Sequence, residues 1–156
     1  MIEIERKFLV NSLAFKAESH RNFRITQGFL NTHKERTVRV RVKGDKGYLT
    51  IKGVSSENGL SRFEWEKEIH INEAEALLKM VEPGMISKCR FEVSYKGFLF
   101  EVDEFYEDNS GLIIAEVELT SETVEFQKPE WLGEEVTGDK RYYNSQLSLN
   151  PYKNWK

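Results

Sequence analysis

The chain has 156 residues, 31% of them charged, with 23 Lys and Arg against 26 Asp and Glu and a formal net charge of −3. That length suits one domain burying roughly two-thirds of its unfolded surface. The near-neutral balance excludes a strongly basic nucleic-acid surface but leaves room for a locally basic pocket. No apolar run approaches the roughly 20 residues needed to span a bilayer, so neither nucleic acid nor membrane is an expected partner. A patterned segment begins at Met1-Ile2-Glu3-Ile4-Glu5, so no signal or transit peptide is expected. Cys89 stands alone, permits no internal disulfide and suits a reducing compartment, which makes the cytoplasm the expected location.

In chain order, period-two alternation of aromatic and β-branched residues predicts strands over 1–10, 23–31, 36–43, 47–53, 61–71, 85–94, 97–105 and 112–120. Gly44-Asp45-Lys46-Gly47 and Tyr95-Lys96-Gly97 read as tight hairpin turns, and Asp108-Asn109-Ser110-Gly111 as a loop. Between the strands, Asn72 is placed to cap a helix running to about Glu82, with Glu75 as its capping-box partner and Pro83-Gly84 as its stop. Ser121 would cap a second helix carrying Val124 and Phe126. A third would run from Asp139 to about Ser148, with Pro151 beyond it. Eight strands on short turns fit an antiparallel sheet that closes, because closure removes exposed edges. The expected fold class is mainly β with flanking helices (α+β), one domain over residues 1–156.

What alternates is unusual. Glu3, Glu5 and Lys7 share one face of the first strand, and Arg39, Arg41 and Lys43 oppose Val38, Val40 and Val42. Thr50 and Lys52 oppose Leu49 and Ile51; Arg62, Glu64, Glu66 and Glu68 oppose Phe63, Trp65 and Ile69. Lys88 and Arg90 flank Cys89, Glu101 and Asp103 flank Val102, and Glu116 and Glu118 flank Val117. Two arrangements satisfy this pattern. Either the apolar faces form the core and the charges a solvated exterior, or the apolar faces pack outward and the charges line a water-filled lumen in which acids and bases pair or bind ions. Alternation alone leaves both open.

The series opens with Glu3-Ile4-Glu5-Arg6-Lys7, an E-x-E-x-K signature. It continues through Arg39-Val40-Arg41, Lys52, Glu64-Trp65-Glu66, Lys88-Cys89-Arg90, Glu101-Val102-Asp103 and Glu116-Val117-Glu118, and closes on Asp139-Lys140-Arg141-Tyr142. In that order it resembles the CYTH superfamily, the triphosphate tunnel metalloenzymes, and in particular their short single-domain bacterial branch. The likeness runs over about residues 1–149 and leaves no room for an appended second domain. It implies an eight-stranded antiparallel tunnel acting on a triphosphate with Mg²⁺ or Mn²⁺, two ions being expected during turnover. Triphosphate binding falls to Lys7, Arg39, Arg41, Lys52, Lys88, Arg90 and Lys140, arginines clamping phosphoryl oxygens bidentately and lysines acting as point charges. Metal binding falls to Glu3, Glu5, Glu116 and Glu118, which with Lys7 and Lys88 make the expected catalytic set. Glu64, Glu66, Glu101 and Asp103 are supporting carboxylates, expected to orient the bases through salt bridges.

Hydrolysis of inorganic tripolyphosphate to pyrophosphate and phosphate needs only these charges. A class IV adenylate cyclase would also need an adenine pocket and a means of activating a ribose hydroxyl. Thiamine or nucleoside triphosphatase activity and a non-catalytic polyphosphate-binding module are the remaining alternatives. No G-x-x-x-x-G-K loop occurs. His20, His33 and His70 lack metal-ligand spacing, and Cys89 points away from the charges as a small hydrophobe. Arg62 and Glu68 lie near strand ends and read as surface, and Arg141 is a weaker phosphate candidate than Lys140. Phe63, Trp65, Phe91, Phe98 and Phe100 read as packing beneath the helices, while Trp131, Tyr152 and Trp155 are either packing or a homodimer contact.

Overall fold

Alternation along the strands resolves into a barrel with its apolar residues mostly outside and its charges within. The computed structural model describes residues 1–155. The elements are β1 (Ile2–Val10), α1 (Phe15–Glu18), β2 (Arg21–Asn31), β3 (Thr37–Lys43), β4 (Lys46–Ser55) and β5 (Ser61–Ile69). They continue with α2 (Ile71–Leu78), β6 (Ile86–Tyr95), β7 (Phe98–Phe105), β8 (Ile113–Glu118), β9 (Leu132–Glu135) and α3 (Asn144–Leu149). All pairing is antiparallel, in the order β5-β4-β3-β2-β6-β7-β8-β1, and β1 returns to β5 through Ile2 opposite Phe63 and Ile4 opposite Ser61. Eight strands therefore close, and β9 is added beside the second half of β1. No helix among the described residues is long and apolar enough to cross a membrane.

The outer face of β1, β6, β7 and β8 carries the larger apolar cluster. Phe8, Val93, Phe100, Val102, Ala115 and Val117 are covered there by Phe15 of α1, Trp131 and Leu132. Trp131 is 1% exposed, and its ring meets Phe100 and Phe15 edge-on, so it is internal packing. Phe126 lies across Phe8 and Phe100 at centroid distances of 5.9 and 5.8 Å. No helix starts at Ser121, contrary to expectation. Val124 and Phe126 are spaced two apart, which lets an extended segment, not a helical turn, lay both against this cluster. On the other side α2 packs on β3 and β4, where a Cβ on Gly47 would stand 2.6 Å from that of Ala74. Only glycine admits the helix so close. Phe63, expected under a helix, is 42% exposed because α2 does not reach β5's outer edge.

The cap of α2 is His70, not Asn72. Its ring accepts from the Asn72 N–H at 3.2 Å and Glu73 reaches back to the His70 N–H at 3.1 Å, which completes the capping box. The helix stops at Leu78, short of Glu82, whose carboxylate instead accepts from the Thr32 N–H and hydroxyl. The C-terminal segment is also broken. Asp139 caps a single 3₁₀ turn by accepting from the Arg141 N–H, then Tyr143 is extended before α3 begins. Two elements were not expected, α1 and β9, both four residues long and too short for periodicity to register.

A second apolar cluster occupies one end of the barrel. Phe29, Ile86, Phe105 and Ile114 meet Leu147 of α3 together with Tyr142 and Val136. Tyr152 and Trp155 pack on this end, with Trp155 edge-on to Tyr142 at 5.2 Å, so they too are packing.

Candidate active site

Strand register turns the charged faces toward one another. Glu3, Glu5 and Lys7 (β1), Arg39 and Arg41 (β3), Lys52 (β4), Glu64 and Glu66 (β5), Lys88 and Arg90 (β6), Glu101 (β7), and Glu116 and Glu118 (β8) line one cavity of about 240 Å³. Asp103 stands just behind this wall, 1% exposed. Parity on strands that close is sufficient to gather these thirteen side chains, since inward positions recur every second residue.

Within the cavity four bases have an acid. Lys52 meets Glu3 at 2.9 Å and Glu64 at 3.3 Å, and Arg39 meets Glu66 at 3.2 Å. Asp103 bridges Lys88 at 2.7 Å and Arg90 at 2.8 Å, with Glu101 on Arg90 at 3.2 Å. Each of the four supporting carboxylates thus sits on a base. Lys7 and Arg41 are different: among the described residues neither has a carboxylate within 4.0 Å. Lys7 rests on the Tyr142 carbonyl at 3.4 Å and over the Tyr143 ring, and Arg41 donates its Nε–H to Gln27 at 2.8 Å. Arg39 also keeps a buried Nε–H with no partner. A buried, unpaired donor costs about 1–3 kcal/mol, which a bound anion would recover.

The acids show the complementary imbalance. Burial, then Glu116 and Glu3, push the Glu5 carboxyl well above the usual carboxylate range. Burial opposes the charge on Glu116 as well, but Lys7, a hydrogen bond from Glu5 and Arg90 hold it below that range. The opposite directions have one cause: two close, buried carboxyl groups disfavour carrying two negative charges at once. Glu118 is raised by burial and by Glu3 and Glu101. Lys88 is depressed to about 7 by burial, Asp103 only partly offsetting that and the Arg90 and Arg41 charges.

No three carboxylate, imidazole or thiol groups among the described residues converge into a preformed metal cage. Glu5, Glu116, Glu3 and Glu118 nevertheless present only oxygen donors, and their crowding is what a hard cation would relieve. That donor set fits Mg²⁺ or Mn²⁺ taking one or two carboxylates and completing its shell with phosphate oxygens and water, not an all-protein cage.

Some positions differ from expectation. Arg62, read as surface, lines the cavity and donates twice to the Gly53 carbonyl, at 3.0 and 2.7 Å. Arg62 shares parity with Glu64 and Glu66 on β5, and where β1 closes on β5 it pairs opposite Glu3, which keeps it on the inward face. Glu68 is exposed, as expected. Lys140 is exposed too, in an adjoining chamber of about 410 Å³ that meets the main cavity at Arg62 and Tyr143. Arg141 is held outside by Asp139 at 2.7 Å. Sequence reasoning missed Gln27, Tyr143 and Asn144. Gln27 shares its inward face with Ile25 and Phe29, so no run of charge marks it, and the other two arrive from a segment without strand parity.

The CYTH domain family matches residues 1–148. An inorganic triphosphatase of Acetivibrio thermocellus is 49% identical over 155 residues, spanning 99% of this chain and 97% of its own. An inorganic triphosphatase of Nitrosomonas europaea is 40% identical over 154 residues, spanning 96% and 99%. A crystal structure of an inorganic triphosphatase superposes with a TM-score of 0.67 at 35% identity, covering 94% of each chain. With near-complete coverage in sequence and fold, this chain belongs to the CYTH domain family.

Proposed function

We propose that the protein hydrolyses a triphosphate, namely inorganic tripolyphosphate to pyrophosphate and orthophosphate, and that it does so with Mg²⁺ or Mn²⁺. One observation carries this reading: cations with no carboxylate within 4.0 Å among the described residues (Lys7 and Arg41) face acids whose charge is opposed by burial and by neighbouring acids (Glu5 and Glu118) across one small cavity. A dense polyanion satisfies the first set, a divalent cation the second, and a metal–triphosphate complex both together. The relatives named inorganic triphosphatase support the same assignment.

In this reading Arg39, Arg41 and Arg90 clamp phosphoryl oxygens through fork-shaped guanidinium groups, and Lys7, Lys52 and Lys88 supply compact charge. Glu5, Glu116, Glu3 and Glu118 would hold the ion, which on binding supplies charge neutralisation and a more acidic bound water. Because the acids already orient Lys52, Arg39, Lys88 and Arg90, little side-chain reorganisation accompanies binding. The apolar end of the barrel keeps water from that side. Rate acceleration then comes from positioning and electrostatics, as phosphoryl transfer requires.

The test is a substrate panel of tripolyphosphate, ATP and thiamine triphosphate, with orthophosphate, pyrophosphate and cyclic AMP measured together. Tripolyphosphate should give the highest kcat/KM. Activity should vanish with EDTA and return with Mg²⁺ or Mn²⁺, and Glu116→Gln should remove most turnover while the fold persists. Cyclic AMP accumulating with pyrophosphate from ATP would replace the hydrolase reading by a cyclase.

A further inference from the structure

Arg41 and Lys88 are joined by two neutral amides. The Gln27 side chain, fully buried on β2, accepts from Arg41 Nε at 2.8 Å and donates through Nε2 to Asn144 Oδ1 at 2.7 Å. The same Asn144 oxygen accepts from Lys88 Nζ at 2.9 Å. The direction of this chain is fixed from both ends, because guanidinium and ammonium groups only donate. Arg41 forces the Gln27 oxygen toward itself, which leaves the Gln27 NH₂ facing Asn144. Asn144 must then present its oxygen, and Lys88 requires that same orientation. Both amide assignments follow from the network.

We infer that Gln27 and Asn144 are positioning residues that aim Arg41 and Lys88 at the phosphates without neutralising them. The inference rests on the triphosphate-binding reading of the cavity. A carboxylate at position 27 would hold Arg41 equally well but would cancel the charge the substrate needs. Arg39 and Arg90 are held by acids, while Arg41, which has no carboxylate within 4.0 Å among the described residues, is held by an amide. Asn144 adds a second function: it stands at the start of α3, so the segment that closes the apolar end is tied to the cation pair. Lys88 is otherwise faced by Asp103, Arg90, Arg41 and Glu116 and by the Phe105 ring, and Asn144 is its uncharged acceptor.

The full chain is assayed on tripolyphosphate with Mg²⁺ across pH, beside thermal unfolding, for wild type and for Gln27→Met, Gln27→Glu, Asn144→Ala and Asn144→Asp. Gln27→Met should lower kcat/KM at least tenfold with a rise in KM. Gln27→Glu, which keeps the Arg41 hydrogen bond, should still raise KM at least fivefold. Asn144→Ala should move the alkaline limb of kcat/KM to lower pH, because Lys88 loses an acceptor. Asn144→Asp keeps both acceptances and adds a charge, so it should move that limb to higher pH. Should Gln27→Met fail to fold, Gln27→Glu and the opposed Asn144 shifts decide alone. Gln27 variants within twofold of wild type in kcat/KM, or Asn144 variants with the wild-type pH profile, overturn the inference. A wild type that turns over no triphosphate sinks the functional reading instead. Calorimetric tripolyphosphate binding by the same variants then decides the positioning roles: weakened binding by Gln27→Met and Gln27→Glu upholds them, and unchanged affinity overturns them.

Discussion

The inward face of the barrel divides into two regions that the same strands build. On β1 it reads Glu3, Glu5, Lys7 and then Leu9; on β6, Arg90, Lys88 and then Ile86. On β7 it runs Glu101, Asp103, Phe105, and on β8 Glu118, Glu116, Ile114. Charge gives way to hydrocarbon on every one of these strands, always toward the end that α3 closes. The charges consequently lie above an apolar floor instead of in an open pore. Lys88 marks the boundary, with its ammonium 5.3 Å from the Phe105 ring centre, and burial there is what depresses it. Charges near such a floor interact more strongly than in water, which suits a site working through electrostatics.

If the two regions divide fold from function, single substitutions in them should have opposite signatures. Leu147→Ala, deep in the apolar end at 1% exposure, should cost about 2–5 kcal/mol in denaturant unfolding, the range for emptying a buried leucine site. Arg41→Ala should leave unfolding free energy unchanged or improved, since it removes a buried cation lacking an acid partner. It should instead lose about 2–4 kcal/mol of transition-state stabilisation, read as a fall in kcat/KM. A destabilised Arg41→Ala, or a fully stable Leu147→Ala, would erase the division.

The charged region was largely legible in the sequence, and the apolar end was not. Glu3, Glu5, Arg39, Arg41, Lys88, Arg90, Glu116 and Glu118 reveal themselves because charges at two-residue spacing on consecutive strands are rare and a closing sheet turns them to one side. Leu9, Ile86, Phe105 and Ile114 continue the same parity, yet an apolar residue at a strand end resembles any other core position. Only the shared level of the switch across four strands carries the signal, and it needs the register to be seen. Arg62 was misplaced because its position near a strand end read as surface, although its parity with Glu64 and Glu66 and its pairing opposite Glu3 keep it on the inward face. Tyr143 and Asn144 come from a segment whose path is set by packing on the apolar end, so local pattern gives no hint of them.

The boundary itself offers a finer test through Lys88. Its ordinary value of 10.5 falls to about 7 in the folded protein, so between those values the unfolded chain binds the additional proton. The contribution of this group to stability should therefore rise with pH across that window, and below about pH 7 it is a standing penalty. Thermal melts of wild type and Lys88→Met from pH 6.5 to 9.5 isolate it: wild type should gain on the variant as pH rises. Tripolyphosphate binding near pH 8, without divalent metal, should take up a larger fraction of a proton in wild type than in Lys88→Met. Calorimetry in buffers of different ionisation enthalpy reads that difference. Equal proton uptake in the two would place Lys88 away from the bound anion.

The smallest effect should come from a cation in neither region. Lys140 carries the same charge as Lys88 and was a further phosphate-binding candidate by sequence, but it is exposed in the adjoining chamber beyond Arg62. An exposed ammonium interacts with an anion through water and salt, and such contacts contribute about 0–1 kcal/mol. Lys140→Ala should accordingly raise KM for tripolyphosphate by less than about fivefold, the change that about 1 kcal/mol allows. Even that effect should disappear at an ionic strength of about 1 M, where the screening length shrinks to about 3 Å. The contrast with Arg41→Ala is the informative quantity, because both remove one positive charge and differ mainly in burial. An Arg41→Ala loss that persists at high salt beside a Lys140→Ala loss that does not would show that enclosure gives these charges their effect. Should Lys140→Ala instead lower kcat by orders of magnitude at every salt concentration, the C-terminal segment must close over the bound substrate, and the main cavity would extend into the neighbouring chamber.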